Sequence, residues 1–119
     1  MRPYERFQAW QACHELVLSL YRLTHAWPRD EMYGLTSQVR RAGVSAASNI
    51  AEGSAKRGVR EFRRYLDVSL GSLSEVSYIL RLARDMGLIS PDASSELDRL
   101  REKASKLTWG LYERVSRNT

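Results

Sequence analysis

A single cysteine, Cys13, excludes an intrachain disulfide in this 119-residue chain, so any fold must be held by its core alone. Also missing is an N-terminal apolar run that reads as a signal peptide or membrane span, which makes a cytoplasmic protein without a membrane partner the expectation. Proline occurs only at positions 3, 28 and 91, and there is no strand-like alternation, internal repeat or low-complexity segment. Lysine is scarce: three lysines stand against sixteen arginines. A planar guanidinium fork suits phosphate better than a point charge does, so the net charge of +5 favours acidic partners without demanding them. The length fits one domain, residues 1–119, large enough to bury a core without metal or disulfide staples.

What is present is helical periodicity. Trp10, Cys13, Val17, Leu20, Thr24 and Trp27 step by three and four and predict a first helix over about 8–26, stopped at Trp27 because the residue before Pro28 is pushed out of helical angles. A second helix is predicted over about 35–52, with Gly53 as a left-handed cap. A third runs over about 59–86, where Gly58 can serve as N-cap and Glu61 supplies half of a capping box. Gly87 ends it, and Ser90, Pro91 and Asp92 start a fourth helix over about 91–116 that leads to a polar tail. The third helix is apolar nearly all round, with Tyr65, Val68, Leu70, Tyr78, Ile79 and Leu82 spread beyond the main stripe. The surplus is most simply covered by another subunit.

The second helix is built from small residues. Gly43, Ser45, Ala46, Ala47, Ser48 and Ala51 surround a stripe of Leu35, Val39, Ala46 and Ile50, the pattern of a tightly packed central helix. Short connections make the second and third helices antiparallel neighbours. Folding about residue 56 then brings Gly43, Ala46 and Ala47 close to Ser69, Gly71 and Ser72, and sets Arg41 within about one helical turn of Glu75, where an ion pair is expected.

The run YGLTSQVRRAGVSAASNIAEG (33–53), followed by GSLSE (71–75), resembles the bacterial 23S rRNA intervening-sequence proteins, the four-helix-bundle protein family. Phe7, Trp10, Gln11, Ala12, His14, Glu15 and Leu16 resemble the family's first-helix pattern, and Phe62 falls in its third. The resemblance covers nearly the whole chain. It implies an all-α, antiparallel up-down four-helix bundle that assembles with itself into a ring, typically a homopentamer, with no settled biochemical activity. The family name reports where some of the genes sit, inside rRNA insertions. Gly58 departs from the hydroxyl residue more usual in the family at that position, which weakens the cap by a few tenths of a kcal/mol.

No motif carries catalysis. His14 and Glu15 open like a zinc-protease helix, but position 18, where the second histidine belongs, is leucine, and His25 has no ligand partner at suitable spacing. No metal or cofactor is therefore expected. Cys13 lies on the core stripe as an inert thiol. Gly53 and Gly58 have phosphate-loop spacing without the following Lys and Ser or Thr. Glu52 and Glu75 could act as paired carboxylates only within about 10 Å in a wet cleft, and their expected depth argues for arginine pairing instead.

One feature has functional weight. Lys56, Arg57, Arg60, Arg63 and Arg64 face Glu61 alone between Ser54 and Arg64, so this segment nets +4 and the rest of the chain only +1. Arg57, Arg60 and Arg64 share the face opposite Phe62 and Leu66, which turns them to solvent. The expected function is a non-enzymatic nucleic-acid-binding or adaptor module that contacts RNA or DNA phosphate through these five residues, helped by Arg40. Without aromatic interleaving, backbone and shape should count for more than base sequence. The alternative is a scaffold for an unidentified protein, its basic residues serving solubility.

Overall fold

The computed structural model describes residues 1–117, so the last two residues of the polar tail lie outside it. Four α-helices follow in order: α1 Gln8–Thr24, α2 Leu35–Ser54, α3 Val59–Asp85 and α4 Pro91–Arg117. Single 3₁₀ turns, Pro3–Arg6 and Arg29–Glu31, precede α1 and α2, and there is no strand among the described residues. Each helix packs against the next and α4 packs back on α1, while the diagonal pairs stay apart. The result is an all-α four-helix bundle measuring 46 × 24 × 22 Å. No helix among the described residues is long and apolar enough to cross a membrane.

Local chemistry explains the helix ends. Toward Pro28 the last turn of α1 tightens, with Ala26 N–H donating to Leu23 O and Trp27 N–H to Thr24 O, so the α-helix closes at Thr24, two residues short of the expected end. Gly34 cannot cap α2 with a side chain. The Glu31 carboxylate takes the Leu35 N–H instead, at 3.2 Å, where a negative charge suits the helix N-terminus. Leu88 N–H to Ala83 O and Gly87 N–H to Arg84 O close α3 in a Schellman motif, for which Gly87 adopts φ +79°. Ser90 Oγ then accepts the Ala93 N–H at 3.1 Å and caps α4.

The core runs along the bundle axis. Leu16, Leu20, Val39, Ile50, Leu66, Leu73, Val76 and Leu80 are all essentially inaccessible, with Ala46, Ala83 and Ala104 filling between them. Across the α2–α3 seam Ser69 Oγ donates to Ala46 O at 2.7 Å, and the hydroxyls of Ser45 and Ser72 meet at 2.8 Å. Ala46 and Ala47 are buried.

Two of the expected close approaches lie elsewhere. Gly43 faces α1, where an added Cβ would sit 2.8 Å from Leu20 Cδ1; a three-residue step turns a helix by about 60° from full register, enough to move Gly43 from the α3 seam to the α1 seam. Gly71 is exposed and has open space around it, because two residues from the buried Ser69 is about 200° around the helix. The tightest glycine is Gly53. Its added Cβ would meet Tyr65 Cβ at 2.7 Å and Phe62 Cδ1 at 3.1 Å. It is therefore not a left-handed cap: α2 continues through it to Ser54, and Gly53 is a packing residue that lets α2 touch α3.

Candidate nucleic-acid interface

The close approach at Gly53 sets where the chain turns. Beyond it, Ala55 N–H and Lys56 N–H bond back to Glu52 O and Gly53 O, and Gly58, at φ +87°, reverses the chain into α3. Such a backbone suits glycine, whatever a hydroxyl would contribute as a cap. Among the described residues no side chain caps α3. Glu61 does not complete a capping box; its carboxylate accepts from Arg64 Nε at 3.3 Å and Nη2 at 3.2 Å.

Lys56, Arg57, Arg60 and Arg64 are exposed on this turn and Arg63 is half-buried. Tyr65 holds two of them, with Lys56 Nζ 5.5 Å and Arg64 Cζ 4.7 Å from its ring centroid. The Arg64 hydrogen bond, followed by the charges of Arg64, Lys56 and Arg60, keeps the Glu61 carboxyl below the usual carboxylate range. Among the described residues Lys56, Arg57 and Arg60 lie within 4.0 Å of no carboxylate. Three cations thus stand uncompensated beside one neutralised pair.

A family model described as 23S rRNA-intervening sequence protein matches residues 5–110, which include the whole turn. The chain belongs to that family. A crystal structure from Bacteroides thetaiotaomicron, described as a protein with unknown function from the S23 ribosomal protein family, shares the fold with a TM-score of 0.78 at 18% identity, covering 87% of this chain and 97% of that one. No curated protein matches the sequence.

Within this family member, Arg40 does not join the cluster. Its Nε donates to Thr24 Oγ1 at 2.8 Å and its guanidinium lies 4.5 Å from the Tyr21 ring centroid, which ties it to α1. Fourteen residues of helix separate it from Ser54, about 21 Å along the bundle. Arg41 and Glu75 are exposed and line one depression of about 370 Å³ with Gln38, Ser45 and Ser72, yet they form no ion pair among the described residues. Glu52 is exposed too. From the α2–α3 register it lies level with residue 65, about 15 Å from Glu75, too far for paired-carboxylate chemistry.

The remaining candidates have structural places. His14 is exposed and stacks on Trp10 at 4.8 Å. Among the described residues no group of His, Cys, Asp and Glu could hold a metal ion. Cys13 is fully buried with its Sγ 3.9 Å from Thr108 Oγ1, and burial pushes its thiol up to about 11.

Sequence reasoning missed a second basic element at the same end. Phe7 and Phe62 rings meet edge-on at 6.0 Å, which sets the N-terminal arm beside the first turn of α3. Next to it, a groove of about 500 Å³ between α1 and α4 is lined by Arg6, Lys106, Arg114 and Arg117 over Phe7 and Leu111, with no carboxylate in its wall among the described residues. No local run of charge announces this groove, since its cations come from the two ends of the chain.

Proposed function

We propose that this protein is an antiparallel up-down bundle that assembles into a homo-oligomeric ring, a homopentamer by its family resemblance, and serves in the cytoplasm as a non-enzymatic nucleic-acid-binding or adaptor module. The antiparallel reading is supported by the α2–α3 contacts, in which Ser45 meets Ser72 and Ala46 meets Ser69. Assembly is supported by apolar side chains left on the surface, with Val68 and Tyr78 of α3 44% and 64% exposed. The observation that carries the nucleic-acid reading is the exposed Lys56, Arg57 and Arg60, with no carboxylate within 4.0 Å among the described residues. A ring repeats that patch, so weak phosphate contacts add through effective concentration.

The test is a binding titration against a structured RNA hairpin and a DNA duplex at several salt concentrations, with the purified oligomer and with a variant carrying glutamine at 56, 57, 60, 63 and 64. Affinity of the parent should fall about tenfold or more between about 50 and 200 mM salt, and several hundredfold if about five phosphates are engaged at once. The variant should keep its assembly size and lose binding. Unchanged affinity in the variant would show that these residues are not the interface. No binding at low salt would leave the second reading, a protein scaffold, which the exposed Leu18, Tyr21 and Val44 favour.

A further inference from the structure

The C-terminal half of α4 carries an aromatic pair that the phosphate reading leaves unused. Trp109 and Tyr112 stack with their centroids 5.4 Å apart and their planes 10° from parallel. Trp109 is 50% exposed, an unusual state for so large an apolar side chain. Its height in the bundle follows from the α3–α4 register. Ser77 Oγ meets Asp98 Oδ1 at 3.4 Å, and the two helices share one rise per residue. Tyr112 is therefore level with residue 63 of α3, and Trp109 with residue 66. Positions 63, 70 and 77 are heptad neighbours on one helix face, the face on which Ser77 meets α4. Arg63 is thus the cation of α3 that lies level with the stack. It is half-buried, and its Nε is buried with no hydrogen-bond partner among the described residues.

We infer that the polyanion is single-stranded, and that Trp109, backed by Tyr112, is the platform on which its unpaired bases stack while Arg60 and Arg63 hold the adjoining phosphates. The inference rests on the phosphate reading above and adds the substrate class to it. Three features support it. A half-exposed indole already stacked on a second ring offers a flat face whose orientation is set before binding, so little side-chain entropy is lost when a base lands. Adjacent helices lie about 8–10 Å apart, so the stack stands beside the cationic turn rather than across the bundle from it. A duplex keeps its bases stacked on one another and has none to offer; a single strand does.

The experiment compares a single strand of about 12 nucleotides with a DNA duplex of the same length, using the parent, Trp109→Ala, Trp109→Phe and the five-glutamine variant, with assembly size measured for each. The parent should favour the single strand. Trp109→Ala should weaken single-strand binding by about 5- to 150-fold, the range for one base–aromatic stack, without changing the salt slope or the duplex affinity. Trp109→Phe keeps an aromatic face and should stay close to the parent. Single-strand binding by Trp109→Ala equal to that of the parent would overturn the inference, as would a change in its assembly size, which would mark Trp109 as a contact between copies. The five-glutamine variant judges the phosphate reading separately: it should lose strand and duplex together. If it keeps both, that reading fails whatever Trp109→Ala does, and if the parent binds neither ligand both fail.

Discussion

Replacing Gly53 with alanine should destabilise the bundle, although alanine is the better helix former by about 1 kcal/mol. The added Cβ would lie 2.7 Å from Tyr65 Cβ and 3.4 Å from the Phe62 carbonyl oxygen. Both of those atoms are fixed to the α3 backbone, so no side-chain rotation relieves the contact and the helices themselves must part. Overpacking costs about 1–3 kcal/mol, and a clash with backbone-tethered atoms belongs at the upper end, which leaves a net loss of about 2 kcal/mol. An unfolding entropy of about 2.1 cal/mol/K per residue over 119 residues makes each kcal/mol worth about 4 °C, so the thermal midpoint should fall by about 8 °C. Gly71→Ala is the matched control. It is also helical, but nothing lies within 4 Å of its added Cβ, so the propensity gain should survive and raise the midpoint by about 4 °C. Far-UV circular dichroism melts of the two variants read both signs. If Gly53→Ala melted at or above the parent, or Gly71→Ala melted below it, the account of where α2 and α3 touch would be wrong.

Other perturbations test charge and burial. Glu61→Gln removes the carboxylate that neutralises Arg64, so a DNA duplex should bind more tightly and the salt slope should steepen by up to about 0.9. Because the Glu61 carboxyl is held low, the pair is formed above the ordinary carboxylate range and lost as pH falls through the lowered value; it is exposed, so the thermal midpoint should stay put while binding changes. Replacing Arg114 and Arg117 with glutamine should flatten the slope by up to about 1.8 if the α1–α4 groove joins the contact, and an unchanged slope would confine the interface to the turn. Cys13 has its thiol raised from 9.0 to about 11 by burial, so its contribution to stability is complete below the unfolded value near pH 9 and is lost as pH rises through about 11. The full loss is of order 2–3 kcal/mol. Urea unfolding across that window should show a shallower alkaline decline for Cys13→Ala than for the parent, and equal declines would contradict the burial.

The elements that were legible are those whose cause is local. Helix periodicity and turn residues act over a few positions, so Ser90, Pro91 and Gly87 mark their helix ends to within a residue, and α1 closes early only because its last turn tightens before Pro28. Gly53 shows where this stops. A glycine after an apolar stripe reads equally as a cap or as a close approach, and only the positions of Phe62 and Tyr65 across the seam decide between them. Arg40 shows the same limit for charge: it resembles its neighbours in type, but the rise of α2 carries it to the other end of the bundle. Arg6 and Arg114 line one groove and Arg63 lies level with Tyr112 through helix register, which depends on the connections and on the interlocking of the core. The length of the α3–α4 connection alone sets Tyr112 level with residues near Arg63, as the α2–α3 turn sets Arg41 within about a turn of Glu75. The signal was therefore present but lay in the topology rather than in a motif. For a bundle, that shifts the search for function from charged runs in the sequence to whole ends of the molecule, where two termini and a turn pool their side chains.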